Sequence, residues 1–199
     1  AELELVKNLE TLEDATKLMG EFSKAGIGGI FGSYVDNDPG NPKRYIVHLY
    51  QGGIGLPDEA YYREEKHAEI RDAYVPHIAQ MLNFAGWEMP AAEKAAHTIM
   101  EFETALAAVH WNNVDSRDAE KTYNLVGLED LKKLTPSFNW ELWLAGAELK
   151  NKVLEETVVM MPSFFEGLDK VFNQKNIEQI KLWMAWKVIG AAASLLSEN

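Results

Sequence analysis

Apolar positions spaced three and four apart recur along most of the chain, which predicts a protein built chiefly of helices. Leu12, Ala15, Met19 and Phe22 form the first clear stripe, with Thr11 and Asp14 placed as a capping box and Gly26, Gly28 and Gly29 as the stop. The period then changes. Gly29 to Val35 is short and rich in glycine and aromatics, Asp36 to Pro42 is dense in turn formers, and Tyr45 to Tyr50 favours a strand. This predicts one small β-hairpin at about residues 30–50, closed by a longer loop and resting on helices, since two strands alone are marginal in water.

Beyond the linker Gln51–Asp58, a helix is expected with Ile70, Ala73, Tyr74, His77, Ile78, Met81, Leu82 and Ala85 on its buried face and Gly86 as its stop. Pro90 opens the next, which carries Ala92, Ala95, Ala96, Ile99, Phe102, Leu106 and Val109 inward. A polar loop covers about 111–121, Leu128–Leu134 is a short helix, and Asn139 caps another. Thr157 to Met161 reads equally as strand or as helix lead-in. Pro162 starts a helix bearing Phe164, Phe165, Leu168, Val171 and Phe172, and Asn176 with Gln179 forms a capping-box pattern before the last one. The fold class expected is therefore mainly α, a multi-helix domain over 1–199 with one hairpin.

Composition narrows the function. The 199 residues carry 31 acidic and 19 basic side chains, a net charge of −12 that argues against a nucleic-acid partner. No apolar run approaches the roughly 20 residues of a membrane span, so no membrane contact is expected from this segment. Without cysteine there is no disulfide, thiolate metal site or thiol nucleophile. The chain opens at Ala1 with neither an initiator methionine nor a signal-peptide pattern, and closes on the helix-like Ala191–Leu196. Both ends are expected to be cuts inside a longer protein, which leaves the cellular compartment open.

Candidate chemistry is sparse. None of His48, His67, His77, His97 and His110 belongs to a His-Glu-x-x-His zinc motif. Glu64 and His67 match the Glu-x-x-His spacing of a di-iron bundle once, and Glu93, His97 and Glu101 share a helix face, but a solvated face is the preferred reading of both. His77 is expected in the core. There is no nucleophile elbow, and the glycines at 52–55 lack the Lys-Ser/Thr of a phosphate loop. Trp140, Trp143, Trp183 and Trp186 fall within helical apolar patterns and are expected to pack the interior.

One set of motifs is specific. Gln51, Gly52, Gly53, Ile54, Gly55, Leu56, Pro57 and Asp58, followed by Tyr61 and Tyr62, resembles the QGGLGLPDRDYY signature of neprilysin-like (M13) zinc metallopeptidases, which lies in their non-catalytic N-terminal region. Further resemblances follow in collinear order: Ala73–Tyr74–Val75, Phe102–Glu103–Thr104–Ala105–Leu106–Ala107, Arg117–Asp118 with Thr122–Tyr123–Asn124, Leu131 to Trp140, and Leu182–Trp183 with Trp186. The family's His-Glu-x-x-His segment and its Asn-Ala-Tyr/Phe motif are missing from this stretch, and the lack of cysteine is similar to a bacterial member.

The resemblance implies the bulk of a cap lobe that encloses a peptide-binding chamber and limits substrates to small peptides. The partner would be the catalytic lobe of the same polypeptide. Zinc would belong to the full-length parent and no cofactor to this stretch. An apolar face exposed without that lobe would also offer a route to a dimer. No catalytic or metal-binding residue is expected. Tyr61, Tyr62, Arg117 and Asn124 are the candidates for lining the chamber. Gln51, Gly52, Gly53, Gly55, Leu56, Pro57, Asp58, Asp118 and Tyr123 are read as structural: glycines where a Cβ would clash, Asp58 as a helix cap, Arg117 and Asp118 each anchoring the loop to a different group. The alternative is a stand-alone helical binding or scaffold domain; a di-iron carboxylate enzyme is a third reading.

Overall fold

The computed structural model describes residues 1–193; Ser194 to Leu196, the end of the expected terminal helical run, lie outside the described residues. Helix α1 (Glu2–Lys7) precedes α2 (Leu12–Lys24), whose Thr11 and Asp14 do form the reciprocal capping box. Strands β1 (Phe31–Asp38) and β2 (Asn41–Gln51) make the hairpin. The turn between them is far tighter than the sequence suggests, leaving only Pro39 and Gly40 between the strands. Its closure rests on Asp38, whose buried carboxylate accepts from the Gly40 N–H (2.8 Å), the Tyr123 hydroxyl (2.8 Å) and Arg44 (2.7 Å). Burial pushes this carboxyl up, but those hydrogen bonds outweigh it and hold it below the usual range.

Two 3₁₀ turns (Glu59–Tyr62 and Glu65–His67) lead into α3 (Ala68–Phe84), which packs against α4 (Met89–Ala107). Asp58 caps the first of these turns through Ala60, rather than a long helix. The buried face of α3 is narrower than its apolar stripe. Ile78, Ala79 and Leu82 are covered, whereas Ile70, Ala73, His77 and Ala85 are exposed. His77 is thus no core histidine; its ring meets Trp186 edge-on at 5.9 Å. Only the second half of α3 has a neighbour deep enough to bury it.

The remaining elements are β3 (Leu125–Val126), α5 (Leu128–Leu134), α6 (Trp140–Gly146), β4 (Thr157–Val159), α7 (Pro162–Val171) and α8 (Ile177–Ala192). The ambiguous Thr157 stretch is a strand, and it changes the sheet: β4 pairs parallel with β2 and antiparallel with β3, so the hairpin is half of a four-stranded mixed sheet of order β1-β2-β4-β3. Fully buried Val158 and Val159 explain why this short run reads without alternation. The expected cap of α8 does not form. Asn176 donates instead to the Val171 carbonyl (2.8 Å) at the end of α7.

The main core gathers Phe102, Trp140, Phe164, Phe165, Phe172 and Trp183 from α4, α6, α7 and α8, with Phe31 and Leu49 from the sheet above them. A second cluster joins α3 and α4 to Trp186 and Ile189 of α8. All four tryptophans read as core are buried. Among the described residues no helix is long and apolar enough to cross a membrane.

Candidate functional site

The glycine-rich stretch after β2 crosses the middle of α8 and the C-terminal part of α4, and most of its residues are held by hydrogen bonds. Gln51 and Trp111 bond reciprocally, side-chain amide to backbone, at 3.0 and 2.7 Å. The Gly52 carbonyl accepts from His110 Nε2 (2.9 Å), and the Gly53 carbonyl from Trp183 Nε1 (2.8 Å). Asp58 accepts from Asn113 (2.6 Å). His110 and the first residues of the expected polar loop, Trp111 and Asn113, therefore clamp both ends of the motif. Burial drives the His110 imidazole down from its ordinary value, against the raising effect of the Gly52 bond, so it stays neutral and donates from Nε2.

At the centre lies Glu103, a fully buried carboxylate on α4. Its Oε2 accepts from the Gly55 N–H (3.0 Å), the Tyr62 hydroxyl (2.7 Å) and the Tyr74 hydroxyl (3.1 Å). Tyr62 oxygen in turn accepts from the Gly55 and Leu56 N–H groups, both at 3.0 Å, and Tyr74 oxygen from Trp186 Nε1 (3.0 Å). Glu103 Oε1 has no hydrogen-bond partner among the described residues; Lys187 Nζ lies 3.7 Å away and also sits over the Trp183 ring. Burial and the neighbouring carboxylate push both tyrosine hydroxyls far up, so they remain donors. Burial pushes the Lys187 ammonium down, opposed by Glu103.

The glycines follow from this crowding. A Cβ on Gly55 would stand 1.9 Å from the Tyr74 oxygen, and Gly53 has φ +87° with Leu106 only 2.5 Å from a notional Cβ.

The candidate chamber residues separate. Tyr62 is buried with its hydroxyl occupied by Glu103. Asn124 is spent on the Lys121 and Val159 carbonyls (2.7 and 3.1 Å), which tie the loop to β4. Tyr61 stacks on His67, ring centres 3.9 Å apart, and is half-buried. Arg117 is exposed and makes no ion pair or side-chain hydrogen bond among the described residues. Asp118 does not reach a distant group; it accepts from the Glu120 and Lys121 N–H groups (3.0 and 3.2 Å) and closes a local turn. Tyr123 anchors Asp38 of the hairpin. The sequence places Tyr74 and Trp186 on apolar helix faces without anticipating their polar contacts, gives Glu103 no role of its own, and does not single out Lys187. The available signal was an acid between Phe102 and Leu106 on the apolar face of α4.

Among the described residues no group of three or more His, Asp or Glu side chains is arranged to hold a metal ion. His48, His67, His77, His97 and His110 are scattered over β2, a 3₁₀ turn, α3, α4 and the loop after α4. Glu93, His97 and Glu101 lie on the exposed face of α4. The residues present do not fit a zinc site, and no hydrolytic step is assigned to them.

The Gln51–Tyr62 motif is thus largely consumed in holding its own chain together. The chain matches the model of the N-terminal region of peptidase family M13 over residues 1–199, and it belongs to that family. It superposes on the Mycobacterium tuberculosis zinc metalloprotease Zmp1, in a crystal structure with inhibitor, with a TM-score of 0.95 and 36% identity, covering 99% of this chain and 30% of that one. An endothelin-converting enzyme homolog from Locusta migratoria is 28% identical over an alignment of 204 positions that covers 98% of this chain and 27% of the relative. Neprilysin-3 of Drosophila melanogaster is 24% identical over 189 residues, 88% of this chain and 24% of that protein. PepO from Lactobacillus rhamnosis, at 20% identity and a TM-score of 0.84, shares the fold. The chain thus spans less than a third of each of these relatives.

Proposed function

We propose that residues 1–199 act as a single domain, the cap lobe of a zinc metalloendopeptidase. In this reading the lobe encloses a peptide-binding chamber, excludes large substrates, and leaves hydrolysis to a zinc-bearing lobe of the same polypeptide. The observation that carries it is the superposition on 30% of the Zmp1 chain, which leaves most of that zinc metalloprotease outside the matched part. Tyr61 and Arg117 are the two candidate residues with side chains free to meet a peptide; an arginine there would grip a carboxylate by a bidentate pair.

The test is a peptidase assay of this chain beside its full-length parent, with and without chelator. The expected result is hydrolysis of small peptides by the parent alone, abolished by chelator. Hydrolysis by residues 1–199 alone overturns the proposal.

A further inference from the structure

Strand β1 forms one edge of the sheet, since the order β1-β2-β4-β3 leaves its far side unpaired. Among the described residues, the backbone of Phe31–Asp38 bonds only within the β2 ladder and, at Asn37, to the Asp36 side chain. Residues Ser33 to Asn37 are all exposed. Such an edge is a ready template for another strand, and proteins usually blunt it with charged side chains, proline or a bulge. Phe31 to Val35 has none of these; the first charge is Asp36, and the register irregularity comes later, between Asn37 and Asp38.

Two features give the edge chemical character. A cavity of about 200 Å³ opens against its first residues, lined by the Gly26–Gly29 turn, Met19, Ser23 and Trp143. At the other end Asp36 is exposed and has no ion pair among the described residues. Strands buried on both faces read as continuous apolar runs. This one mixes Tyr34 and Val35 with Ser33 and Asp36, which suits contact that forms and dissolves in water.

We propose that the open edge of β1 binds a free peptide in extended form by strand addition, with an apolar side chain in the cavity beside Gly28 and a basic side chain against Asp36. Antiparallel addition, the more stable pairing, places the basic residue toward the peptide N-terminus. The net charge of −12 disfavours acidic peptides. This inference does not rest on the cap reading, because the edge belongs to these residues alone.

The probe is a capped octapeptide of threonine and valine with lysine second and leucine seventh, titrated into the 199-residue chain by calorimetry. Amide hydrogen exchange is followed in parallel. Binding is expected with new protection at alternate amides of Phe31–Asp36. A peptide N-methylated at alternate residues, which cannot extend a ladder, is expected to bind at least about tenfold more weakly. Gly28→Leu should weaken the unmodified peptide by about tenfold, and Asp36→Asn by about threefold. A leucine at position 28 is tolerated because a Cβ there meets nothing within 4 Å and its φ is not left-handed.

No binding at all, or equal binding of the methylated peptide, overturns the proposal. So does protection of Phe31–Asp36 without peptide, either in a dimer of this chain or in the full-length parent, since the edge would then already be occupied by a second copy or by another part of the polypeptide. In both of those forms the edge is expected to exchange freely until peptide is added.

Discussion

Two stretches of this chain resemble family motifs, and the fold uses them in opposite ways. Gln51–Tyr62 is drawn inward, where its backbone and its tyrosine meet a fully buried carboxylate and three of the eight α-helices among the described residues, α3, α4 and α8, contribute to the surrounding contacts. Arg117–Asn124 stays near the surface, closing a turn on itself and tying down a strand. In the first stretch polar groups are isolated from water and depend on one another. In the second most of them can exchange a protein partner for solvent. A motif therefore marks a constraint without saying whether the constraint is packing, local turn geometry or contact with a ligand.

The largest contrast should come from Glu103→Ala. It strands two tyrosine hydroxyls and the Lys187 ammonium in a dry interior and leaves the Gly55 N–H with the Tyr62 oxygen alone, with an expected loss of about 3–5 kcal/mol in urea unfolding. Glu103→Gln retains an acceptor for the three donors and should lose distinctly less; equal losses would show that the charge opposite Lys187, not the hydrogen bonding, holds the cluster. Next is Gly55→Ala, where the added methyl must displace the Tyr74 hydroxyl from Glu103. We expect a loss of about 1–3 kcal/mol, and a neutral result would mean that Tyr74 is free to move.

His110 gives a smaller, pH-dependent effect. Its folded value lies below the ordinary 6.5, because burial disfavours the charged ring. The unfolded chain therefore takes up a proton that the folded chain refuses. Stability from this source is complete above pH 6.5 and is lost as the pH falls from 6.5 through the folded value. His110→Gln can still donate to Gly52 and should flatten that part of the stability profile. Arg117→Ala in the surface stretch should change stability by less than about 0.5 kcal/mol. In the full-length parent it is expected to raise KM for peptides ending in a free carboxylate; unchanged KM would remove Arg117 from the chamber.

The helices were legible where their signals are local. The Thr11–Asp14 box, the Asn139 cap, Pro90 and Pro162 in first turns and the stop at Gly86 (φ +96°) all act within about four residues. The same kind of pattern misled at Asn176, because the Val171 carbonyl offered its side chain another partner. Along α3, the apolar stripe predicted more burial than the neighbouring helices supply, so His77 and Ile70 ended outside. The hairpin loop was overestimated because Asp38 reads as a solvated turn acid until Tyr123 arrives from 85 residues away to join Arg44 of the same hairpin.

The amino-acid sequence by itself determined the helical class, most element boundaries, the aromatic core and membership of a peptidase family. Tertiary structure alone placed Thr157–Val159 beside Val47–Leu49, turning a hairpin into a mixed sheet across 110 residues of chain. It also separated Glu101 from Glu103, two acids on one helix of which one is exposed and the other fully enclosed. Backbone geometry is decided over a few residues. The environment of a charge depends on which groups come through space to meet it, and here they come from residues 55, 62, 74 and 187.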